Sequence, residues 1–475
     1  MMDRRMALTA VAALAAVGAL WRWRRQPARR RRRVVPMPGQ ERRIVVLGAG
    51  FAGLSAATEL GRLVGDDESL EILLVDRHNY HLFTPLLYQV ATTAIVPDNV
   101  AHPIRSLSRR RGFTFQQSEV IGIDLQRRRV LADGAEVPYD YLIAALGSVT
   151  NFFGLTQVEE HSLTLKTLGD SIAVRNRILD AFEHADREVD PDRRREWLTF
   201  AVVGGGATGV ELIAAIHGLV HEVLDEEYPY IAASEMHLLL FEARDQLLLG
   251  MSPRLVKIAE ERLLGLGVEV RLNTPVQSVY PDRLVTSKNE VVPARTVIWT
   301  AGVKANPLWQ GMPVEKASLG RVVVNEYLQL PDHPEVYLVG DSSFFRDDRG
   351  QSLPPNAPVA IAQGSAAARN VARAIRRQSL QPFHYRSRGD LLALNHRSAV
   401  ADVLGLQFDG FLGWLVWRLY YLTQLVGFRD RLRTLLDWTF AYFYRYETTE
   451  LACAREMETE GELVRRRTTQ ERNRP

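Results

Sequence analysis

The chain has 475 residues, 46% hydrophobic and 24% charged, with a single cysteine, Cys453. Its length suggests about two to four domains, and one cysteine excludes a disulfide framework, a multi-thiolate iron–sulfur cluster, a four-cysteine zinc site and a redox-active dithiol. The net charge of +3 conceals a split, because residues 1–43 carry 12 Arg against Asp3 and Glu41, leaving an acidic body. That polarity suits a membrane address and argues against a nucleic-acid partner.

Residues 6–21 (MALTAVAALAAVGALW) contain no charge and would span about 24 Å as a helix. Eight arginines follow between Arg22 and Arg33. A cleavable signal places its charge before the apolar run, so residues 1–36 are expected to form a membrane anchor with Trp21 and Trp23 at the interface. The positive-inside rule then puts the body in the cytoplasm. An export signal built on Arg4-Arg5, or an upstream extension before Met37, are the other readings.

Residues 44–47 form a short apolar run that predicts a buried strand. A turn, Gly48-Ala49-Gly50-Phe51-Ala52-Gly53, and a helix come next. In G-x-G-x-x-G the first glycine permits the tight turn, the second lets a pyrophosphate approach the backbone, and the third lets helix and strand pack. A second apolar strand, 70–76, ends at Asp76 beside Arg77, where ribose hydroxyls would need an acceptor. The pattern recurs at strand 200–203 with Gly204, Gly206 and Gly209, and the following strand, 236–241, ends at Glu242. The extra length between them is assigned to residues 217–235, as a longer helix and a turn at Pro229. Glu242 lacks an immediately following Arg and would repel a 2′-phosphate, which favours NADH over NADPH. Two such units imply two dinucleotides facing each other, read as FAD on the first and NADH on the second, with hydride passing between them.

Near residue 335 a third strand ends in Gly340-Asp341, followed by Pro354, Pro355 and Pro358 and a small-residue helix over 360–375. An acid there suits the ribityl or pyrophosphate region of a flavin. His78, His81 and His384 lack metal-ligand spacing and are read as polar loop residues. From 408 to 446, 13 of 39 residues are aromatic, against 8% overall. Residues 411–426 are apolar almost all round, interrupted by Arg418 and Gln424. Residues 432–443 are amphipathic, with Leu432, Leu435, Leu436 and Phe443 on one face and Arg433 and Asp437 on the other. With Arg429, Arg431 and Arg445 interleaved, these predict helices on a membrane surface; a helical pair docked on the core or on a second subunit is the alternative. The charged tail, 451–475, is expected to be disordered.

Five segments carry a family resemblance: 79–91 (NYHLFTPLLYQVA), 145–154 (ALGSVTNFFG), 203–212 (VGGGATGVEL), 298–303 (IWTAGV) and 339–341 (VGD). Over residues 43–451 the chain resembles the type II NADH dehydrogenases, non-pumping NADH:quinone oxidoreductases of the two-dinucleotide flavoprotein superfamily. The resemblance implies that Thr84 and Pro85 lie near the isoalloxazine, that Ala145 and Gly147 line the FAD, and that Asp341 bonds its ribityl chain. It also makes Thr300, Ala301 and Gly302 the return crossover from the NADH domain and Glu211 an acid near the nicotinamide. From the residues alone, Glu211 reads as a first-turn helix carboxylate. The family commonly carries Ala-Gln-x-x-x-Gln before a glycine. Here 357–364 is APVAIAQG, so Pro358 and Ala362 replace glutamines and Gln363 remains, and this bears on the electron acceptor. Asn395-His396 stands where the family more often has Gly and a basic residue.

The expected fold is therefore α/β. An FAD domain comprises 40–152 and 303–385, an NADH domain 153–302, and membrane-surface helices 386–450. Glu211 and Gln363 are the candidate catalytic residues. Expected partners are NADH, a membrane quinone and the membrane surface, and a homodimer is compatible. An oxygen-using NADH oxidase, a ferredoxin reductase and a non-catalytic NADH sensor are the competing readings.

Overall fold

The computed structural model describes residues 42–387, 389–395, 398–403, 405–443 and 448–451. The expected anchor at 1–36, His396, Arg445, Cys453 and the tail beyond Leu451 lie outside the described residues. In chain order, β1 (Arg42–Leu47), α1 (Phe51–Leu63), β2 (Leu70–Asp76), α2 (Leu87–Ala91), β3 (Thr114–Gln117), β4 (Tyr141–Ala144) and β5 (Ser148–Thr150) open the fold. The middle comprises β6 (Leu163–Thr164), α3 (Leu168–Arg187), β7 (Thr199–Val203), α4 (Ala207–Leu219), β8 (His237–Phe241), α5 (Pro253–Gly265), β9 (Glu269–Arg271) and β10 (Thr296–Trp299). Then follow β11 (Val303–Ala305), β12 (Gln329–Leu330), β13 (His333–Leu338) and α6 (Ala357–Ile375). Strands β14 (Gly389–Asn395), β15 (Ser398–Val403) and β16 (Leu406–Phe408) precede α7 (Gly410–Gln424) and α8 (Phe428–Phe443).

The first sheet has the order β12-β13-β4-β1-β2-β3 and is parallel except for β12. Ile44 to Leu47 are fully buried, as a parallel strand covered on both faces requires. Small residues let α6 lie close along α1, where Ser55 Oγ donates to Ile361 O at 3.0 Å and meets Ser365 Oγ at 2.8 Å. The second sheet, β6-β10-β7-β8-β9, is wholly parallel. The two crossovers between the sheets, β5 and β11, pair antiparallel, with Ser148 opposite Ala305. Between the second glycine turn and β8, helix α4 ends at Leu219. A π-turn over Val220–Leu224 and short helical turns at Asp225–Glu227 and Ala233–Glu235 take up the added length.

Residues 386–450 were expected to be helical, yet β14, β15 and β16 form an antiparallel sheet before the first helix. Its apolar triplets, 392–394 and 399–401, are buried, and runs that short do not separate strand from helix by periodicity. Helix α8 turns its polar side toward the body and its apolar stripe outward. Asp430, Thr434 and Trp438 are buried, and Asp437 Oδ2 accepts from Asn99 Nδ2 at 2.6 Å. The His102 ring bonds Asp430, and Trp438 Nε1 donates to Gln89 Oε1 at 2.8 Å. Leu432, Leu435, Leu436 and Phe440 instead point to solvent, as do Phe411, Leu412, Leu415 and Leu419 of α7. Among the described residues no helix is long and apolar enough to cross a membrane. Beyond α8 the chain returns to α3: Arg175 Nε donates to Thr449 O at 3.0 Å. The Asn176 amide there exchanges two hydrogen bonds with the Leu451 backbone, at 2.6 and 3.0 Å.

Candidate functional site

The turn after β1 is shaped by close contact. Gly48 has φ +89°, and a Cβ there would lie 2.4 Å from Ala145 O; a Cβ on Gly53 would lie 1.8 Å from Gly48 O. Gly50, next to the first residue of α1, has open space at its Cβ position. Asp76, at the end of β2, accepts from Ala49 N at 2.6 Å and from His78 N at 2.7 Å. The second turn repeats this arrangement. A Cβ on Gly204 would lie 2.7 Å from Ala301 Cα and one on Gly209 1.9 Å from Gly204 O, whereas Gly206 is open. Glu242 accepts from Gly205 N at 2.7 Å and Arg244 N at 2.9 Å. Thr300 Oγ1 donates to Val203 O at 3.0 Å, and Asn151 N donates to Gly302 O at 3.0 Å, tying the crossover to the second turn. Each turn presents a helix N-terminus, an uncovered glycine and an acid on the adjoining strand. That set fits a dinucleotide pyrophosphate and ribose, so the residues present suit FAD and NADH.

Ala145, Gly147, Gly340 and Asp341 follow the ends of β4 and β13, beside the first turn, as ligand residues do in open parallel sheets. Gly147 is open at its Cβ position. Asp341 Oδ2 accepts from Ser148 Oγ at 2.6 Å and lies 3.5 Å from Lys166 Nζ. Thr84 and Pro85 start a short 3-10 turn leading into α2; Thr84 is exposed and Pro85 half-buried. Arg77 points to solvent 4.0 Å from Glu119.

Glu211 and Gln363 occupy different surroundings. Gln363 is fully buried, and its Oε1 accepts from Gly340 N at 2.7 Å and Ser343 Oγ at 3.0 Å. It braces the turn that carries Asp341. Glu211 lies on a cavity that Gln363 does not line. Helix α2 contributes Tyr88 and Gln89 to its wall, α4 Glu211 and Ala215, and α7 and α8 Trp417 and Trp438. The Glu211 side chain accepts from Ala393 N at 3.0 Å, and the Trp417 indole N–H lies nearby outside hydrogen-bond geometry. Burial raises the Glu211 carboxyl to about 8, outweighing that backbone bond. Burial and the nearby Glu211 hold Tyr88 and Tyr421 well above the ordinary phenol range. Arg418 also lines the cavity, stacked 3.7 Å from the Trp414 ring centroid and 5.0 Å from that of Trp438.

The meeting of these residues in one cavity carries no sequence signal, although the resemblance singles out Glu211. Trp417, Arg418, Tyr88 and Glu211 converge only in three dimensions. His81 is a buried strand residue and not the loop residue expected: its Nδ1 lies 2.7 Å from Ala49 O, and burial lowers its pKa to about 4. The ring therefore stays neutral and donates to the first glycine turn. His384 is exposed beside Asp348. Among the described residues no cluster could hold a metal.

The pyridine nucleotide-disulphide oxidoreductase family profile matches residues 42–364. The type II NADH:quinone oxidoreductase Ndh of Mycobacterium tuberculosis is 34% identical over 426 residues, covering 85% of this chain and 89% of that protein. The demethylphylloquinone reductase NdbB of Synechocystis is 30% identical, covering 83% and 95%. A solved NDH2 of Plasmodium falciparum in complex with NADH superposes with a TM-score of 0.78 at 18% identity, over 86% of this chain and 100% of that one, a likeness of fold. With a family profile across both glycine turns and relatives of this identity along most of its length, the chain belongs to the pyridine nucleotide-disulphide oxidoreductases and, within them, to the type II NADH:quinone oxidoreductases.

Proposed function

We propose that the two glycine turns work as a pair, FAD on the first and NADH on the second, in an NADH:quinone oxidoreductase. The observation that carries this is the repeated hydrogen-bond pattern, Asp76 to Ala49 and His78, Glu242 to Gly205 and Arg244, around two uncovered glycines. When bound at the first turn, FAD would supply the two-electron redox chemistry that links NADH oxidation to quinone reduction. Gly50, Asp76, Gly147 and Asp341 would hold the flavin nucleotide, and Gly206, Glu242 and the Ala301-Gly302 crossover the NADH. The Glu242 carboxylate would repel a 2′-phosphate. We place the quinone ring in the cavity beside Glu211, whose carboxyl keeps its proton up to about pH 8 and can deliver it to a quinone oxygen. Gln363 would act by holding Gly340 and Asp341 in place, and Thr84 and Pro85 by bordering the flavin ring. The test is anaerobic NADH oxidation with a short-chain quinone. Turnover with quinone and none without it supports this reading, whereas turnover with oxygen alone points to an oxidase.

We place the membrane against the outer side of α7 and α8, with the catalytic domains on the cytoplasmic face. Supporting this is the orientation of α8, which turns its polar residues inward and Leu432, Leu435, Leu436 and Phe440 outward. Lipid would cover that stripe. In a chain shortened to begin at Met37, so that residues 1–36 cannot hold the membrane, replacing Leu432, Leu435 and Leu436 with Ser is expected to abolish co-sedimentation with liposomes while leaving NADH reduction of the flavin intact; unchanged sedimentation refutes the placement.

A further inference from the structure

Lys166 lies in the turn between β6 and α3, two residues past Thr164 and one before the Thr167 cap, in the half of the chain that carries the second glycine turn. Its backbone is clamped there. Asp170 Oδ2 accepts from Lys166 N at 2.8 Å and Thr167 N at 3.0 Å, and Thr167 Oγ1 accepts from Asp170 N at 3.1 Å. This capping box fixes the first turn of α3 and the direction in which Lys166 leaves it. The side chain crosses to the other half. Nζ donates to Ser148 Oγ at 2.8 Å and lies 3.5 Å from Asp341 Oδ2, and Ser148 Oγ donates to the same Asp341 oxygen at 2.6 Å. Ser148 begins the crossover strand β5, and Asp341 stands beside the first glycine turn. An ammonium, a hydroxyl and a carboxylate from three separate segments thus meet where the two halves join.

The acid in that cluster creates an electrostatic difficulty. FAD carries a pyrophosphate, and a carboxylate held near it in a partly buried site repels that charge unless a cation is adjacent. Asp341 keeps only about a fifth of its side-chain surface in solvent and Lys166 a third, so screening is incomplete. Among the described residues Lys166 is the cation within ion-pair distance of Asp341; Arg321 acts on it electrostatically from farther off, with its guanidinium committed to Ser343 O and Leu353 O. Lysine suits the place because a compact ammonium can donate to Ser148 while facing Asp341.

We propose that Lys166 is a positioning residue for the flavin cofactor, a cation supplied by the NADH-binding half that neutralises Asp341 so that FAD can be held beside it. The inference rests on FAD occupying the first glycine turn. It also makes cofactor retention depend on the docking of the two halves, because removing the ammonium exposes the Asp341 charge and breaks a bridge across the crossover.

The test uses the holoenzyme and reads FAD loss, not turnover. Wild type, Lys166→Met, Lys166→Arg, Asp341→Asn and the Lys166→Met/Asp341→Asn double variant are diluted, and the fluorescence of released FAD is followed at low and high salt. Lys166→Met is expected to release FAD about tenfold faster than wild type at low salt, a difference shrinking as salt screens the repulsion. Lys166→Arg keeps the charge and is expected to stay near wild type. In the Asp341→Asn background, Lys166→Met is expected to change release less than about twofold, because the charge it neutralises is gone. Release from Lys166→Met within twofold of wild type overturns the proposal, as does an equal effect in both backgrounds, which marks a purely structural role. Should Lys166→Met fail to fold, Lys166→Gln in both backgrounds carries the same comparison. A wild-type chain that purifies without flavin removes the first-turn reading itself, an outcome distinct from retention that ignores Lys166.

Discussion

Glu211→Gln offers a direct measure of how the cavity treats charge. An ordinary glutamate titrates at 4.5, whereas burial raises Glu211 to about 8. In that interval the folded chain holds a proton that the unfolded chain has released. The stability it contributes is complete below pH 4.5 and is lost as pH rises through 8. The slope is about 1.4 kcal/mol per pH unit, so the whole interval is worth at most about 5 kcal/mol, and the two units from about pH 5.5 to 7.5 about 3 kcal/mol. Glutamine retains an oxygen for the Ala393 N–H, so the variant loses the titration and little else. Urea unfolding of both proteins, matched in FAD content, is expected to show the variant gaining about 3 kcal/mol relative to wild type between those two pH values. A difference that stays constant within about 0.5 kcal/mol would refute the raised carboxyl. Quinone turnover gives a second readout: the wild-type rate should fall above about pH 8, and the slower variant should lose that dependence.

Other expectations follow from contacts at the two turns and at α8. Gly53→Ala forces a methyl against Gly48 O and should cost about 1–3 kcal/mol in thermal unfolding, whereas Gly50→Ala, with open space around it, should unfold like wild type yet bind FAD more weakly. Equal stability losses would show that the two glycines are not divided between packing and ligand. Glu242→Gln removes the charge and leaves an acceptor for only one of the Gly205 and Arg244 N–H groups, so kcat/KM for NADPH relative to NADH should rise about tenfold while both values fall; an unchanged ratio would place selectivity elsewhere. Asp437→Ala strips the buried Asn99 amide of its acceptor and should cost about 1–3 kcal/mol, read by denaturant unfolding.

The parts of this fold that were legible in the sequence are those written locally. A glycine turn places its contacts within a few residues of itself, so Gly48, Gly50 and Gly53 and their repeats announce a strand–turn–helix, and an acid at the end of the next strand completes the reading. Asp76 and Glu242 stand where that logic puts them. The remainder depends on contacts between distant segments. Tyr88 and Trp417 are 329 positions apart yet line one cavity. Lys166 stands in an unremarkable stretch before a capped helix, and its partners Ser148 and Asp341 are near only after β5 and β11 have paired. The amphipathic pattern of α8 was visible, but its orientation was not. An apolar stripe alone cannot distinguish a face bound for the core from one left outside, and here Asn99 and His102 draw the acidic face inward. Gln363 shows the same limit: its type suggested chemistry, and its environment makes it a brace.

The return of the chain to α3 after α8 gives the C-terminal hairpin two fixed ends. Helices α7 and α8 follow directly from the sheet that packs on α4, and Thr449 and Leu451 are clasped by Arg175 and Asn176. The pair is therefore closed into a ring of non-covalent and covalent links, not hung from the body as a swinging arm. Force applied at the outer face of these helices reaches the half that carries the second glycine turn through α3 as well as through the sheet. For anyone fusing a reporter or an affinity handle to this protein, the practical boundary is the clasp: sequence added after Leu451 leaves the ring shut, while cutting the chain before Thr449 would open it.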